Sequence, residues 1–327
     1  MRRTAILSLL LCAILSAPLS ACKPAHSALE QISSHPHASV SITPAHANVA
    51  YAGTRNPAQM LDIYLPPTKA RHAPLVLFIH GGAWMIGDKS WIRSGTHMQL
   101  EQFLQLLLNN GYAVASVNYR LTPEARFPAQ IHDVKAAVRY LRAHAAEFGI
   151  DPMRIAVAGE SAGGHLAQLL ATTDKQAELE GGLGNVGVSS RVKAAVSYYG
   201  IADLRRLAAE RVEQGCQHPW LYNPNKPNES EYGLFGGGPL DTPQRQQQAL
   251  RASPIHYVSA DTAPMLLLHG RQDCIVAVVQ SQTMYNTLQK FGVPSQLYVL
   301  DADHAEAKFY TDPQLQQRLL DFLRQYL

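Results

Sequence analysis

Ser161 sits in Gly159-Glu160-Ser161-Ala162-Gly163, between an apolar run ending at Ala158 and a small-residue helical stretch, His165 to Ala171. Glycines two residues either side of a serine relieve the crowding of a sharp strand-to-helix turn, which presents the hydroxyl as a nucleophile. Such a serine needs donors for the negative charge that develops on an attacked carbonyl oxygen. His80-Gly81-Gly82-Ala83-Trp84 follows the apolar run Leu75 to Ile79 and offers the main-chain N–H groups of Gly81, Gly82 and Ala83. Ala162, at the start of the expected helix, adds another N–H backed by the helix dipole. His80 and Trp84 read as packing or orienting residues.

The serine also needs a base and an acid that orients it. The chain has 14 histidines, so position has to choose between them. With the order nucleophile, acid, base, the base is His304, just after the expected strand Gln296 to Leu300. The acid is Asp273, a few residues beyond the strand Met265 to Leu268, with Asp203 as its competitor. Asp301 and Asp303 stand too close to His304 in sequence to reach its far nitrogen. His165, His269, Asp133 and Glu160 read as structural. No metal or cofactor is expected: His26, His35, His37 and His46 match no ordered ligand spacing.

The elements around these residues alternate. Leu61, Ile63 and Leu65 alternate with polar partners, whereas Leu75 to Ile79, Tyr112 to Val117, Ile155 to Ala158, Ala194 to Tyr198 and Met265 to Leu268 are continuous apolar runs that suit strands buried on both faces. Helical patterns lie between them, at Phe103 to Leu108, Ile131 to Leu141 and Met284 to Phe291, and a last helix starts at Asp312-Pro313. This is an α/β arrangement, mainly parallel, with ligands beyond the carboxyl ends of the strands. Residues from about 204 to 260 interrupt the rhythm with Pro, Gly and Gln. They read as a cap-like insertion over the site, with Trp220, Tyr222, Tyr232 and Phe235 as apolar lining or as a small core of their own.

A formal charge of +3 in 327 residues leaves no basic field for nucleic acid. Two of those charges, Arg2 and Arg3, open an export signal with an apolar stretch from Ala5 to Leu15. Leu19-Ser20-Ala21-Cys22 resembles the lipobox of bacterial lipoproteins, in which the cysteine is acylated. That resemblance implies a signal peptide over 1–21, membrane contact through a lipid on Cys22 only, and, since Lys23 rather than Asp follows, the outer membrane of the cell envelope. An ordinary signal peptide is the alternative. Residues 22–47 read as a flexible linker and 48–327 as one catalytic domain. Cys216 and Cys274 are then left in an oxidising compartment, as one disulfide or as two free thiols.

Together, Leu61 to Pro66, His80 to Trp84, Asn118-Tyr119-Arg120-Leu121, Gly159 to Leu166, and the placement of Asp273 and His304 resemble the hormone-sensitive-lipase-like branch of the α/β hydrolases. The bacterial feruloyl- and acetyl-esterase-like members are the most similar. The resemblance implies an eight-stranded, mainly parallel sheet with helices on both faces. It also implies a serine carboxylesterase acting through an acyl-enzyme on short-chain or aromatic acyl esters, small or polysaccharide-linked. Ala83 stands where many lipases of the branch carry a further glycine. Kynurenine formamidases are similar at the same motifs, so an amide hydrolase of that kind is the alternative activity.

Overall fold

Alternate side chains of a strand point to opposite faces of its sheet, and in the central strands of this protein both sets are apolar. The computed structural model describes residues 42–327 apart from 68–71, 95–98, 123, 175, 217–232 and 238–239. Its strands are β1 (His46–Ala50), β2 (Met60–Tyr64), β3 (Ala73–Ile79), β4 (Ala113–Val117), β5 (Ile150–Glu160), β6 (Ala195–Tyr198), β7 (Met265–Gly270) and β8 (Ser295–Leu300). They form one eight-stranded sheet in the order β1-β2-β4-β3-β5-β6-β7-β8. β1 and β2 pair antiparallel with their neighbours, and every pairing from β4 through β8 is parallel.

One core contains Leu75, Leu77, Ile155, Val157, Met265 and Leu267, covered by α2 (Ala129–Ala143), α3 (Ala162–Thr172) and α6 (Val279–Lys290). The other contains Val76, Phe78, Ala156, Ala158, Leu266 and Leu268, covered by α1 (Leu100–Asn109) and α7 (Pro313–Tyr326). Helices on both faces follow from this two-sided burial. The insertion contributes α4 (Leu207–Glu213) and α5 (Pro243–Arg251). Cys216, just past α4, is joined to Cys274 by a disulfide. Phe235 is buried against Phe127, while Trp220, Tyr222 and Tyr232 lie outside the described residues.

One expectation changes. The domain begins earlier than residue 48, because His46 and Ala47 already belong to β1 and the main chain of Ala45 donates to Ile63. In β2 the polar partner between Leu61 and Ile63 is itself inside: Asp62 is buried and paired with Lys89 at 2.8 Å. The signal peptide, Cys22 and most of the expected linker lie outside the described residues. Among the described residues no helix is long and apolar enough to cross a membrane.

Candidate active site

Chain direction reverses its course across the sheet between β3 and β5: β3 leads outward to β4, and β5 leads the other way to β6. A crevice opens beyond the strand ends at such a point. Ser161 follows β5 there, and the loop from His80 follows β3 beside it. Asp273 follows β7 and His304 follows β8, so the carboxyl ends of four parallel strands in one sheet bring these residues together.

The turn at Ser161 is held in an unfavourable conformation (φ 50°, ψ −117°), of the kind that persists only where the surroundings enforce it. Its N–H donates to Tyr198 O at 2.9 Å and its carbonyl accepts from His165 N–H at 2.9 Å. A Cβ on Gly159 would lie 2.3 Å from the carbonyl oxygen of Gly163, and one on Gly163 would lie 2.1 Å from that of Ile79. The spacing of the two glycines therefore answers to the close approach of α3 to the strands.

Oγ of Ser161 lies 3.0 Å from Nε2 of His304, and Nδ1 of His304 lies 2.7 Å from Oδ2 of Asp273. A carboxylate oxygen only accepts, so Nδ1 carries a proton and Nε2 is left to accept the serine hydroxyl proton. The Asp273 side chain is fully buried. Burial alone raises a carboxyl pKa, but the neighbouring His304 and His269 outweigh it and hold Asp273 well below the usual carboxylate range. Its other oxygen, Oδ1, accepts the N–H groups of Ile275 and Val276 at 2.9 and 2.8 Å. Asp203 is elsewhere, held by both guanidinium arms of Arg205 and by the hydroxyl of Ser253.

Gly82, Ala83 and Trp84 take positive φ values in succession (95°, 56° and 59°), and the turn closes with Met85 and Ile86 N–H on Gly82 O, each at 3.0 Å. A Cβ at Gly82 would stand 2.2 Å from Ile86 O. Among the described residues the N–H groups of Gly82, Ala83 and Ala162 donate to no protein acceptor, which leaves them for a ligand oxygen. Gly81 does not belong with them. Its N–H donates to Oε1 of Glu160 at 3.2 Å, so that expected donor is already used inside the protein.

Several supporting groups were not legible as such. Oε2 of buried Glu160 accepts the hydroxyls of Tyr199 and Tyr310 at 3.0 and 3.2 Å, and the Tyr199 ring packs against His304 with centroids 4.6 Å apart. Burial raises the Glu160 pKa, opposed by these donors and the Gly81 N–H. Tyr119 donates to the carbonyls of His80 and Gly81 and stacks on the His80 ring. His269 Nε2 reaches Asp273 Oδ2 at 3.3 Å while also bonding Val276 O. Asp133 binds Arg120 and Gln59, a structural role. Among the described residues there is no cluster of His, Cys, Asp and Glu able to hold a metal ion.

The profile of the BD-FAE family matches residues 61–288. The chain is similar to LipM of Mycobacterium tuberculosis, a probable carboxylic ester hydrolase, at 33% identity over 258 residues, covering 78% of this chain and 54% of LipM. It is similar to esterase LipQ of the same organism at 32% over 250 residues, covering 75% and 54%. It thus spans about half the length of the curated relatives it matches. Among solved structures it resembles a truncated carbohydrate esterase from gut microbiota, with a TM-score of 0.73 at 29% identity, covering 88% of this chain and 97% of that one. A thermophilic esterase from Thermogutta terrifontis gives 0.59 at 25%, covering 82% and 86%.

Proposed function

The chain belongs to the BD-FAE family of α/β-hydrolase-fold proteins, and from that premise we propose that it hydrolyses carboxylic esters with Ser161 as nucleophile, His304 as base and Asp273 as the orienting acid. The observation that carries the reading is the unbroken chain of hydrogen bonds from Ser161 Oγ through His304 to Asp273 Oδ2. His304 takes the hydroxyl proton as Oγ attacks the ester carbonyl, then gives it to the departing alcohol. The oxygen of the tetrahedral intermediate is received by the N–H groups of Gly82, Ala83 and Ala162, already oriented before the reaction begins. Water, activated by the same histidine, releases the acid from the acyl-serine and restores the enzyme.

The proposed substrates are short-chain or aromatic acyl esters, including esters borne on polysaccharide. The similar gut-microbiota structure is described as a carbohydrate esterase, and the lipobox-like leader would set the enzyme at the cell envelope, where such polymers are met. The test is hydrolysis of p-nitrophenyl acetate, a feruloyl ester and acetylated xylan oligosaccharides by the purified protein and by Ser161→Ala. Turnover by the unaltered protein and loss on the order of 10⁶ in the variant are expected. A Ser161→Ala protein that still hydrolyses these esters at the original rate sinks the mechanism.

A further inference from the structure

Asp273 stands on an irregular turn between β7 and α6, and the polar groups of such a turn need partners. Its carboxylate is fixed locally, since Oδ1 is occupied by Ile275 and Val276 N–H and Oδ2 faces both His304 Nδ1 and His269 Nε2. The main chain beneath it is held from the insertion. Gln214 Nε2 donates to the carbonyl of Asp273 at 2.7 Å, and Gln214 Oε1 accepts Val278 N–H at 3.0 Å. Arg211 Nε donates to the carbonyl of Ile275 at 2.6 Å. Cys274, next to the acid in sequence, is bonded to Cys216, which is 58 residues away along the chain and itself fastened to α4 through its N–H on Arg211 O at 3.0 Å.

Four attachments thus join the end of α4 to the six residues from Asp273 to Val278, two of them at or next to the residue whose position sets His304. From them we infer that Arg211, Gln214 and Cys216 form a brace that positions Asp273, so that the insertion tunes the geometry of the catalytic hydrogen bonds. Gln214 and Cys216 touch no reacting atom and are positioning residues. The inference rests on the reading of Asp273 as the orienting acid. Its effect belongs in turnover rather than substrate binding, because displacement of an orienting group by about 1 Å can cost 10²-fold in rate.

The test compares the full-length oxidised protein with Gln214→Ala, with the double variant Cys216→Ser/Cys274→Ser, and with the unaltered protein reduced by dithiothreitol. In the last case the dithiol supplies two electrons and two protons, leaving two cysteine thiols and a cyclic disulfide of the reagent. On p-nitrophenyl acetate, kcat is expected to fall about tenfold or more in each case with KM changed by less than about twofold. Dithiothreitol should not alter the double variant. The low-field Nδ1–H proton resonance of His304 should broaden or move upfield in each, a change that loss of global stability alone does not produce in a protein still folded at the assay temperature. Lowered thermal stability with kcat and that resonance unchanged overturns the brace. If Asp273→Asn is inactive while Gln214→Ala and the reduced protein keep full kcat, the brace alone falls. An Asp273→Asn protein of full activity removes the acid assignment beneath it.

Discussion

The main-chain N–H of Gly81 donates to Oε1 of Glu160 at 3.2 Å, tying the loop beyond β3 to the residue immediately before Ser161. The same carboxylate receives Tyr199 and Tyr310, and Tyr199 packs on His304. One buried carboxylate therefore joins the loop from His80, the turn at Ser161 and, through Tyr199, the ring of His304. Glu160→Ala would leave the buried N–H of Gly81 without this acceptor and the Tyr199 and Tyr310 hydroxyls with only each other, at about 1–3 kcal/mol for each group left unpaired. The expected result is a lowered melting temperature and kcat reduced by about 10²-fold, whereas Glu160→Gln keeps an acceptor for Gly81 and retains most activity. Equal activity in the two variants would remove the link between loop and turn.

Gly82→Ala is expected to disable the donor loop while sparing the hydrogen bonds among Ser161, His304 and Asp273. The added carbon would meet Ile86 O at 2.2 Å on a residue with φ of 95°, so the turn must open and its N–H groups move. Loss of one such donor typically costs 10²–10³ in kcat, about 3–4 kcal/mol. Titration with a fluorophosphonate, compared with steady-state turnover, separates a slowed enzyme from a misfolded one; unchanged kcat would show that Gly82 does not serve the oxyanion.

Asp273→Asn should slow turnover by about 10⁴-fold through loss of the correct histidine tautomer. Asp203→Asn should do far less, because its partners are Arg205 and Ser253 rather than His304. The reverse ranking in kcat would contradict the assignment.

The sheet was readable because strands buried on both faces leave continuous apolar runs, as from Leu75 to Ile79, and because Ser161 and Asp273 stand past such runs, while His304 follows the half-buried edge strand β8. β1 was not readable: His46-Ala47-Asn48-Val49-Ala50 is a half-exposed edge strand without a repeating pattern. The partner of Gly81 was equally hidden. Glu160 is 79 residues away, and nothing local distinguishes an N–H bound to a carboxylate from one left for substrate. Tyr199 with Tyr310, 111 residues apart, and Gln214 with Asp273, 59 apart, are likewise products of tertiary approach.

Cys22, outside the described residues, carries the proposal for location. A lipid there would hold the domain at a bilayer by about 0.8 kcal/mol for each buried methylene. Cells expressing the full-length protein and fed a labelled fatty acid should label it, and Cys22→Ser should yield an unlabelled, active protein in the soluble fraction. An unlabelled wild-type protein would reduce the leader to an export signal.

The last prediction concerns acid stability, and it rests on two buried histidines. His80 Nδ1 donates to Gly81 O and leaves Nε2 buried without a partner among the described residues; His165 Nε2 donates to Ala252 O and leaves Nδ1 likewise. Burial lowers both to about 4 from 6.5, since a second proton would create a charge and a donor with no acceptor. In the unfolded chain each takes up its proton near pH 6.5. Between pH 6.5 and 4 the unfolded state therefore binds more protons, and stability falls as the pH falls, by about 3 kcal/mol for each histidine before levelling near pH 4. Asp273 acts in the same direction at lower pH: its depressed pKa contributes stability that is present above about pH 4 and lost as the pH falls further. Urea unfolding at intervals from pH 7.5 to 4 should show the upper window. His165→Gln, which keeps a donor for Ala252 O but cannot titrate, should flatten the slope there by up to one proton, about 1.4 kcal/mol per pH unit. A slope identical to that of the unaltered protein would mean that His165 is not held neutral by the fold.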